Sequence, residues 1–245
     1  MPVMKAGPGR ALLGGGGETY DQEVLATGPI AYWPQSETAG VTAHCLVNPA
    51  QDGTYTAVTL ANDNTGPFGT PAPFYDGATS YLNAFSAALA AAFNGAEGTI
   101  IIWAKVNAVG VWTDGVEHRI STFRADINNR LINGTNSLAN QLRWAYRSGG
   151  VFNLRDGLGY TTVDWFMHTI TWSKALDEVR AFHNGAQVGA TMNGLGVWAG
   201  ALANTTTVLG SASTVPANSW HGWLGPSGIW GRALPPAEVL DLYVV

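Results

Sequence analysis

The chain has 245 residues, with 12 lysines and arginines against 17 aspartates and glutamates and a formal net charge of -5. This balance gives no basic footprint for nucleic acid, and no run of about 18 apolar residues predicts a membrane span. Only 12% of the residues are charged, about half of the roughly 25% usual in soluble domains, so the surface is expected to be rich in small polar residues or partly covered by neighbours.

Residues 1–27 are predicted to form an extended N-terminal arm. The segment is rich in Gly and Pro, has too few periodic apolar positions to fold alone, and lacks the apolar stretch of a secretory signal. Its apolar side chains fall in two short patches, which are expected to contact neighbouring subunits: Val3, Met4, Leu12 and Leu13. Residues 28–245 have the length of one all-β domain.

Short strands separated by turn residues are predicted from residue 30 onwards. Residues 30–34 and 74–82 are the first candidates, and Ser86 is a candidate N-cap for a short helix. Residues 99–106, TIIIWAKV, are apolar on both faces apart from the lysine. This pattern predicts a central strand that is buried between layers.

The second half of the chain is predicted to continue as short strands. Residues 119–123 and 141–146 alternate as strands do, whereas the asparagine-rich segment 128–140 is expected to be an exposed loop. Further strands are predicted near residues 208–210 and 222–224. The chain should then close with a helical turn over residues 236–243, because a proline stands at its first position.

Residues 168–190 carry the clearest strand pattern. Ile170 and Trp172 alternate with two threonines, which predicts a half-buried strand with the apolar side chains facing the core. A turn is expected at residues 174–178. Asn184 and Gly185 then favour the positive φ angles of a type I′ hairpin turn.

Four stretches stand in a fixed order along the chain: 30–40 (IAYWPQSETAG), 74–82 (FYDGATSYL), 168–190 (HTITWSKALDEVRAFHNGAQVGA) and 229–239 (IWGRALPPAEV). Together they resemble the laminin-G-like, concanavalin A-like jelly-roll domains. The resemblance covers about residues 28–245. It implies an all-β, concanavalin A-like (laminin G-like) jelly-roll β-sandwich preceded by the extended N-terminal arm.

No carboxylate pair or nucleophile stands at a catalytic spacing. Glycosidases on this jelly roll carry E-x-D-x-E on one strand face, whereas Glu18, Asp21 and Glu23 are spaced E-x-x-D-x-E within the arm. Residues 225–229 lack the G-x-S-x-G pattern of a nucleophile elbow, and the five histidines are scattered. The sequence therefore predicts a protein that is not an enzyme.

Calcium is the single candidate cofactor. Asp52, Asp63 and Asp76 lie in predicted loops beside asparagines and backbone carbonyls, which supply the oxygen ligands that calcium takes, and Asp114 stands in a similar loop. The resemblance places an acidic residue near Cys45, at the start of the loop that contains Asp52. That acidic residue is absent here, which counts against calcium binding by this loop. Cys45 itself is expected to be a small buried side chain.

Exposed aromatic side chains are the means by which jelly-roll modules hold sugars. Four tryptophans near predicted loops are the candidate carbohydrate-binding residues: Trp112, Trp144, Trp198 and Trp220. The alternative is that most of the 10 tryptophans pack in the core.

The function expected from these features is structural. Residues 24–40, VLATGPIAYWPQSETAG, resemble a segment frequent in virion proteins of tailed phages. A non-enzymatic capsid decoration or minor tail protein is therefore expected, which forms a homo-oligomer, contacts other virion proteins through the arm and binds host glycans. The alternative is a lectin-like carbohydrate-binding module of a secreted bacterial protein, located outside the cell.

Overall fold

The computed structural model describes residues 19–60 and 65–244. In chain order, the strands within these residues are β1 (Ala31–Trp33), β2 (Thr42–Ala43), β3 (Gly53–Thr56), β4 (Phe74–Asp76), β5 (Tyr81–Asn83), β6 (Glu97–Val106), β7 (Arg119–Asp126), β8 (Asn129–Thr135), β9 (Gln141–Ser148), β10 (Val151–Leu158), β11 (Phe166–Ser173), β12 (Glu178–His183), β13 (Ala186–Gln187), β14 (Thr207–Leu209) and β15 (His221–Trp230). The helices are α1 (Tyr20–Ala26), α2 (Ala87–Ala92) and α3 (Pro236–Asp241), and single 3-10 turns lie at Pro49–Gln51, Val109–Trp112 and Asn204–Thr206. None of the described helices is long and apolar enough to cross a membrane.

The strands form two antiparallel sheets that pack face to face. The seven-stranded sheet has the order β1-β15-β6-β11-β12-β13, with β4 also paired to β15, and the eight-stranded sheet has the order β10-β9-β8-β7-β14-β5-β3-β2. The main core lies between them and includes Ile100, Trp144 and Trp172. The predicted all-β sandwich is confirmed.

Strand β6 is central and buried on both faces, as its sequence predicts. Ile100 and Ile102 point into the core between the sheets, and Ile101 and Trp103 point to the opposite face. That outer face is covered by α1 and α3, whose buried side chains join the second apolar cluster. Strands β11 and β15 pair with β6 on its two sides, which satisfies its backbone groups.

Strand β11 departs from its predicted half-burial. Ile170 and Trp172 face the core as expected, but Thr169 and Thr171 on the other face are buried too, with 0% and 3% of their surface exposed. The reason is that the chain after β15 returns across this face, where residues 233–235 and Thr171 line the same small cavity. Alternation along the strand identified its two faces but not the layer that covers the outer one.

Residues 20–26, which the sequence analysis assigned to the arm, belong to the folded domain. They form α1, which starts at a capping box: the Thr19 hydroxyl accepts a hydrogen bond from the Gln22 N–H, and the Gln22 side chain accepts one from the Thr19 N–H at 2.7 Å. Tyr20 and Val24 are buried on the outer face of the seven-stranded sheet. The arm boundary at residue 27 is therefore wrong. Its four candidate assembly residues fall outside the described residues: Val3, Met4, Leu12 and Leu13.

Side-chain hydrogen bonds fix α1 in this position. The Trp103 indole N–H donates to the Tyr20 hydroxyl at 2.8 Å, and the Tyr32 hydroxyl donates to the Asp21 carboxylate at 2.5 Å. After the helix, Thr27 accepts from the indole of Trp230 at 2.8 Å. Each bond satisfies a polar group that the helix would otherwise bury unpaired.

The asparagine-rich segment 128–140 is only in part the exposed loop that was expected. Residues 137–139 are exposed and lie outside any strand, but Asn129–Thr135 form β8, which pairs with β7 and β9 within the eight-stranded sheet. Asn129 and Asn133 are buried. Their amides are compensated in part: Asn133 donates to the Ser121 hydroxyl at 3.0 Å while its Oδ1 has no partner, and Asn129 accepts from the N–H groups of Gly149 and Ala199.

Local predictions at turns and caps are confirmed. The hairpin between β12 and β13 turns at Asn184 and Gly185, with φ angles of 51° and 75°. The hydroxyl of Ser86 caps α2 by accepting from the Leu89 N–H at 3.0 Å. Cys45 is buried, and α3 begins at Pro236.

Replacement of Trp172 by alanine is expected to lower the free energy of unfolding by about 3–5 kcal/mol, as large aromatic truncations in cores do. The ring is 1% exposed, stacks on Tyr146 at 5.9 Å and donates to the Gly95 carbonyl at 3.0 Å. Denaturant unfolding monitored by circular dichroism measures the change. A loss below about 1 kcal/mol would contradict this placement of β11.

A buried histidine, His168, and a half-buried one, His183, predict acid sensitivity. Burial lowers the pKa of His168 from 6.5 to about 3 and that of His183 to about 4. Since the unfolded chain binds these protons more readily, the free energy of unfolding should fall as the pH falls from about 6.5 to about 4. His168→Gln should flatten this dependence, whereas the exposed His44 gives a control, His44→Gln, that should not. Equal slopes for both variants in pH-dependent denaturant unfolding would count against the assignment.

Candidate functional site

The tryptophans predicted to bind sugars are mostly core residues. Trp112, Trp144 and Trp220 are 3%, 0% and 0% exposed, contrary to the expectation that they present a ring face at the surface. Trp144 stacks on the buried His168 ring at 4.5 Å. Trp198 is half-buried and packs on Phe93. The physical reason is that the two sheets need large side chains to fill the layer between them.

The candidate calcium ligands are used to hold their own turns. Asp52 accepts from the Cys45 N–H at 2.7 Å. Asp76 accepts from three successive N–H groups after it; burial raises the pKa of this carboxyl, but these bonds and the Thr79 hydroxyl outweigh burial and lower the pKa well below its usual value. Asp114 accepts from the Val116 N–H at 2.9 Å and contacts His118.

No metal-binding group emerges from these turns. Among residues 19–60 and 65–244, no three His, Cys, Asp or Glu side chains are grouped to hold a metal ion. Asp63 lies outside those ranges. Calcium binding stays a prediction.

The candidate site is an open cleft on the outer face of the seven-stranded sheet, which we name the aromatic cleft. It has a volume of about 410 Å³. Its lining residues come from the loop before β4, from β6, from the residue before β11 and from the C-terminal turn: Gly66, Pro67, Phe68, Trp103, Trp165, Tyr243 and Val244. None of these seven lining residues is charged.

Stacked and edge-on rings form the walls of the cleft. Trp103 lies parallel to Tyr243 with 5.8 Å between centroids and meets the edge of Phe68 at 5.1 Å. Tyr20 of α1 stacks behind Phe68 at 3.9 Å. The helix that covers the sheet therefore also holds the cleft in shape.

The indole N–H groups are already occupied, so the ring faces are what the cleft offers. Trp165 donates to the Thr65 carbonyl at 3.0 Å, and Trp103 donates to the buried hydroxyl of Tyr20. Phe68, Trp165 and Tyr243 remain half-buried. The negative face of such a ring attracts C–H groups of partial positive charge, which the flat face of a sugar ring presents.

A bulge in β15 lies next to three residues that line the cleft, Pro67, Trp103 and Trp165. Pairing with β6 shifts register between Leu224 and Ser227, and a side chain at Gly225 would stand only 3.3 Å from both Pro67 and Trp165. The buried amide of Gln35 holds the bulge, because it donates to the Gly225 carbonyl at 2.7 Å and to the Ser227 hydroxyl at 2.8 Å. A glycine at this point allows the two rings to approach the sheet.

Sequence reasoning did not identify the residues of the aromatic cleft. Trp103 stands within an apolar strand, where its outward direction shows only once the covering layer is known. Phe68, Trp165 and Tyr243 are each separated from the next along the chain by about 80 to 100 residues, and no local motif links them. The one local signal is a tryptophan directly before a strand, at position 165.

Comparison with known proteins identifies the fold but no family. No family model matches the chain, and no curated protein matches it. Solved structures do match. The chain is similar to domain 4 of AbnA, a GH43 extracellular arabinanase from Geobacillus stearothermophilus, in complex with arabinotriose, at 17% identity and a TM-score of 0.62, over 88% of this chain and 98% of that domain.

Two toxin structures are similar over part of their length. The binding domain of Paraclostridial Mosquitocidal Protein 1 shares 15% identity, with a TM-score of 0.65, over 89% of this chain and 52% of that one. The second is botulinum neurotoxin type C, whose cell entry depends on interaction with two ganglioside molecules. It shares 13% identity, with a TM-score of 0.62, over 89% of this chain and 51% of that one. This chain has the fold of these β-sandwich domains. It spans about half the length of the two toxin chains.

Proposed function

We propose that this protein is a glycan-binding β-sandwich without catalytic activity, and that the aromatic cleft holds the sugar. The observation that carries the proposal is the cleft itself, in which half-buried rings line an open volume of about 410 Å³ with no charged lining residue. Ligand sites are commonly concave and lined by aromatic side chains. A domain of the same fold is in complex with arabinotriose, which supports a sugar as the ligand.

The use of the carboxylates supports a binding role over catalysis. Asp21 is one of the three carboxylates near the N-terminus that were compared with the glycosidase pattern. It accepts a hydrogen bond from the Tyr32 hydroxyl. Asp52, Asp76 and Asp114 accept backbone N–H groups of their own turns. A general acid and base pair would need two carboxylates that face one substrate.

Trp165→Ala is expected to weaken binding of a neutral oligosaccharide at least tenfold, because it removes the half-buried ring at the rim of the cleft. The measurement is isothermal titration with the best neutral ligand from a glycan array. Trp198→Ala is the matched control, since Trp198 is also a half-buried tryptophan but packs on Phe93 and Tyr146.

The control should keep its affinity within about twofold. The aromatic cleft would be overturned as a sugar site if the wild-type chain bound no neutral glycan. Equal losses of affinity in the two variants would overturn it as well. Thermal unfolding of each variant separates lost binding from lost folding.

We also propose a place for this domain on the virion of a tailed phage, as a capsid decoration or minor tail protein. The support is the resemblance of residues 24–40 to such proteins and the low charged fraction of 12%. In this setting residues 1–18 would join the domain to its own copies and to other virion proteins. An extracellular bacterial carbohydrate-binding module is the alternative setting, and it shares the same sugar site.

Deletion of residues 1–18 is expected to leave the sandwich folded and to abolish homo-oligomer formation, measured by light scattering. Deletion of residues 1–26 should in addition destabilise the domain, because it removes Tyr20 and Val24 from the outer face of the seven-stranded sheet. An unchanged oligomer after the shorter deletion would refute the assembly role. Equal stability of the two deletions would refute the structural role of α1.

A further inference from the structure

Three arginines stand side by side on the outer face of the eight-stranded sheet. Arg124 of β7 is paired with Arg130 of β8, and Arg130 is paired with Arg147 of β9. Their inward neighbours Phe123 and Leu131 lie in the core, so strand alternation directs the arginines outward. We name these three residues the arginine row.

Like charges at directly opposed positions destabilise a sheet. The described carboxylates that act on the row, Asp126 on Arg124 and Glu117 on Arg130, do so from a distance. None of the three guanidinium groups lies within 4.0 Å of a described carboxylate. Arg147 donates to the carbonyls of Gly150 and Ile127 at 3.2 and 3.1 Å. The Nε of Arg130 is buried and has no hydrogen-bond partner.

The electrostatic effect on Arg130 agrees with this arrangement. Burial lowers its pKa, and the positive charges of Arg147 and Arg124 lower it further, against the opposing effect of Glu117. An anion bound beside Arg130 is attracted by all three positive charges, so it gains more there than beside an isolated arginine.

An aromatic ring and an apolar floor complete the surface. Phe152 of β10 is paired with Arg147, is 46% exposed, and lies 5.9 Å from the guanidinium of Arg130. The next cross-strand pair on the same face, Ile132 with Ala145, is buried and forms the apolar floor. The surface therefore offers cations for an anionic group and a ring face beside them.

The other charges on this face argue for a short acidic ligand. Glu117 pairs with Arg119 and Arg143, and Asp156 pairs with Arg143 at 2.9 Å. A nucleic acid strand laid across the sheet would bring phosphates against these carboxylates, and the chain has a net charge of -5. These charges therefore favour an oligosaccharide with only one or two anionic groups.

We propose that the arginine row is a second ligand site, which binds an acidic oligosaccharide. Its carboxylate or sulfate group pairs with Arg130 and Arg147, and its sugar ring stacks on Phe152. Arginine suits this role because its planar fork binds such groups through two parallel hydrogen bonds. The site lies on the opposite side of the sandwich from the aromatic cleft, and its existence does not depend on that cleft.

The test is titration of the purified full chain with two matched ligand pairs. A digalacturonate is compared with its methyl ester, and singly sulfated maltose with maltose. At least one acidic member is expected to bind about tenfold or more tightly than its neutral partner, with an affinity that falls as salt is raised. Which pair shows the difference identifies carboxylate or sulfate as the anion.

Variants locate the binding on the sheet. Arg147→Gln and Arg130→Gln should each lower the affinity for the acidic ligand about tenfold or more, and Arg147→Lys should restore only part of it because the fork is lost. Thermal unfolding should show Arg147→Gln to be folded, since removing one of three like charges relieves repulsion. Arg180→Gln, which changes an arginine paired with Glu178 on the seven-stranded sheet, should bind as the wild type does.

Acidic ligands that bind no better than neutral ones, or glutamine variants that bind as the wild type does, would overturn the proposal. Tighter binding of a thymidine decamer than of either acidic sugar, lost in Arg147→Gln, would overturn it in favour of nucleic acid. Trp165→Ala should leave acidic binding intact, so failure of the aromatic cleft and failure of the arginine row are read separately.

Discussion

Strand β6 is apolar on both faces, and both faces must be removed from water for the strand to be stable. Burying an aliphatic side chain contributes about 1.5–3 kcal/mol, so neither Ile100 and Ile102 on one face nor Ile101 on the other can be left exposed without loss. The eight-stranded sheet covers the inner face. On the outer face α1, α3 and the C-terminal turn take the place of a third sheet.

This cover explains where the aromatic cleft lies. Short helices and turns cannot seal a sheet as evenly as another sheet does, and the gap falls at Trp103, where Phe68, Trp165 and Tyr243 converge from distant parts of the chain. The same helix that buries Tyr20 supports Phe68 by stacking. Stability of the outer layer and shape of the proposed sugar site therefore depend on the same contacts.

Some of the few charged side chains of this protein are used in hydrogen bonds and ion pairs within the fold, and others are left to meet a ligand. Aspartates at the turns are satisfied by backbone N–H groups, as Asp76 shows. Glu117 and Asp156 are taken by Arg119 and Arg143. Among the described residues, no carboxylate lies within 4.0 Å of a guanidinium group of the arginine row. The two outer faces of the sandwich thus differ in chemistry, with uncharged rings on one and cations without an ion-pair partner on the other.

The sequence by itself determined the elements whose signals are local. Alternation identified β11 and its inward side chains, the apolar run identified β6 as central, and Asn184 with Gly185 fixed the hairpin turn. These predictions succeed because strand period and positive φ depend on neighbouring residues alone. The four ordered stretches led to the jelly-roll fold through their resemblance.

Only the tertiary structure decided which surfaces are covered and which side chains meet. Whether a tryptophan is core or surface depends on the layer packed above it, so Trp112, Trp144 and Trp220 could not be separated from Trp165 by sequence position. The Asn-rich strand β8 was missed because its amides find partners on other strands and loops. The cleft and the arginine row arise from sheet register and from contacts between distant segments, and such long-range pairing leaves no local pattern in the chain.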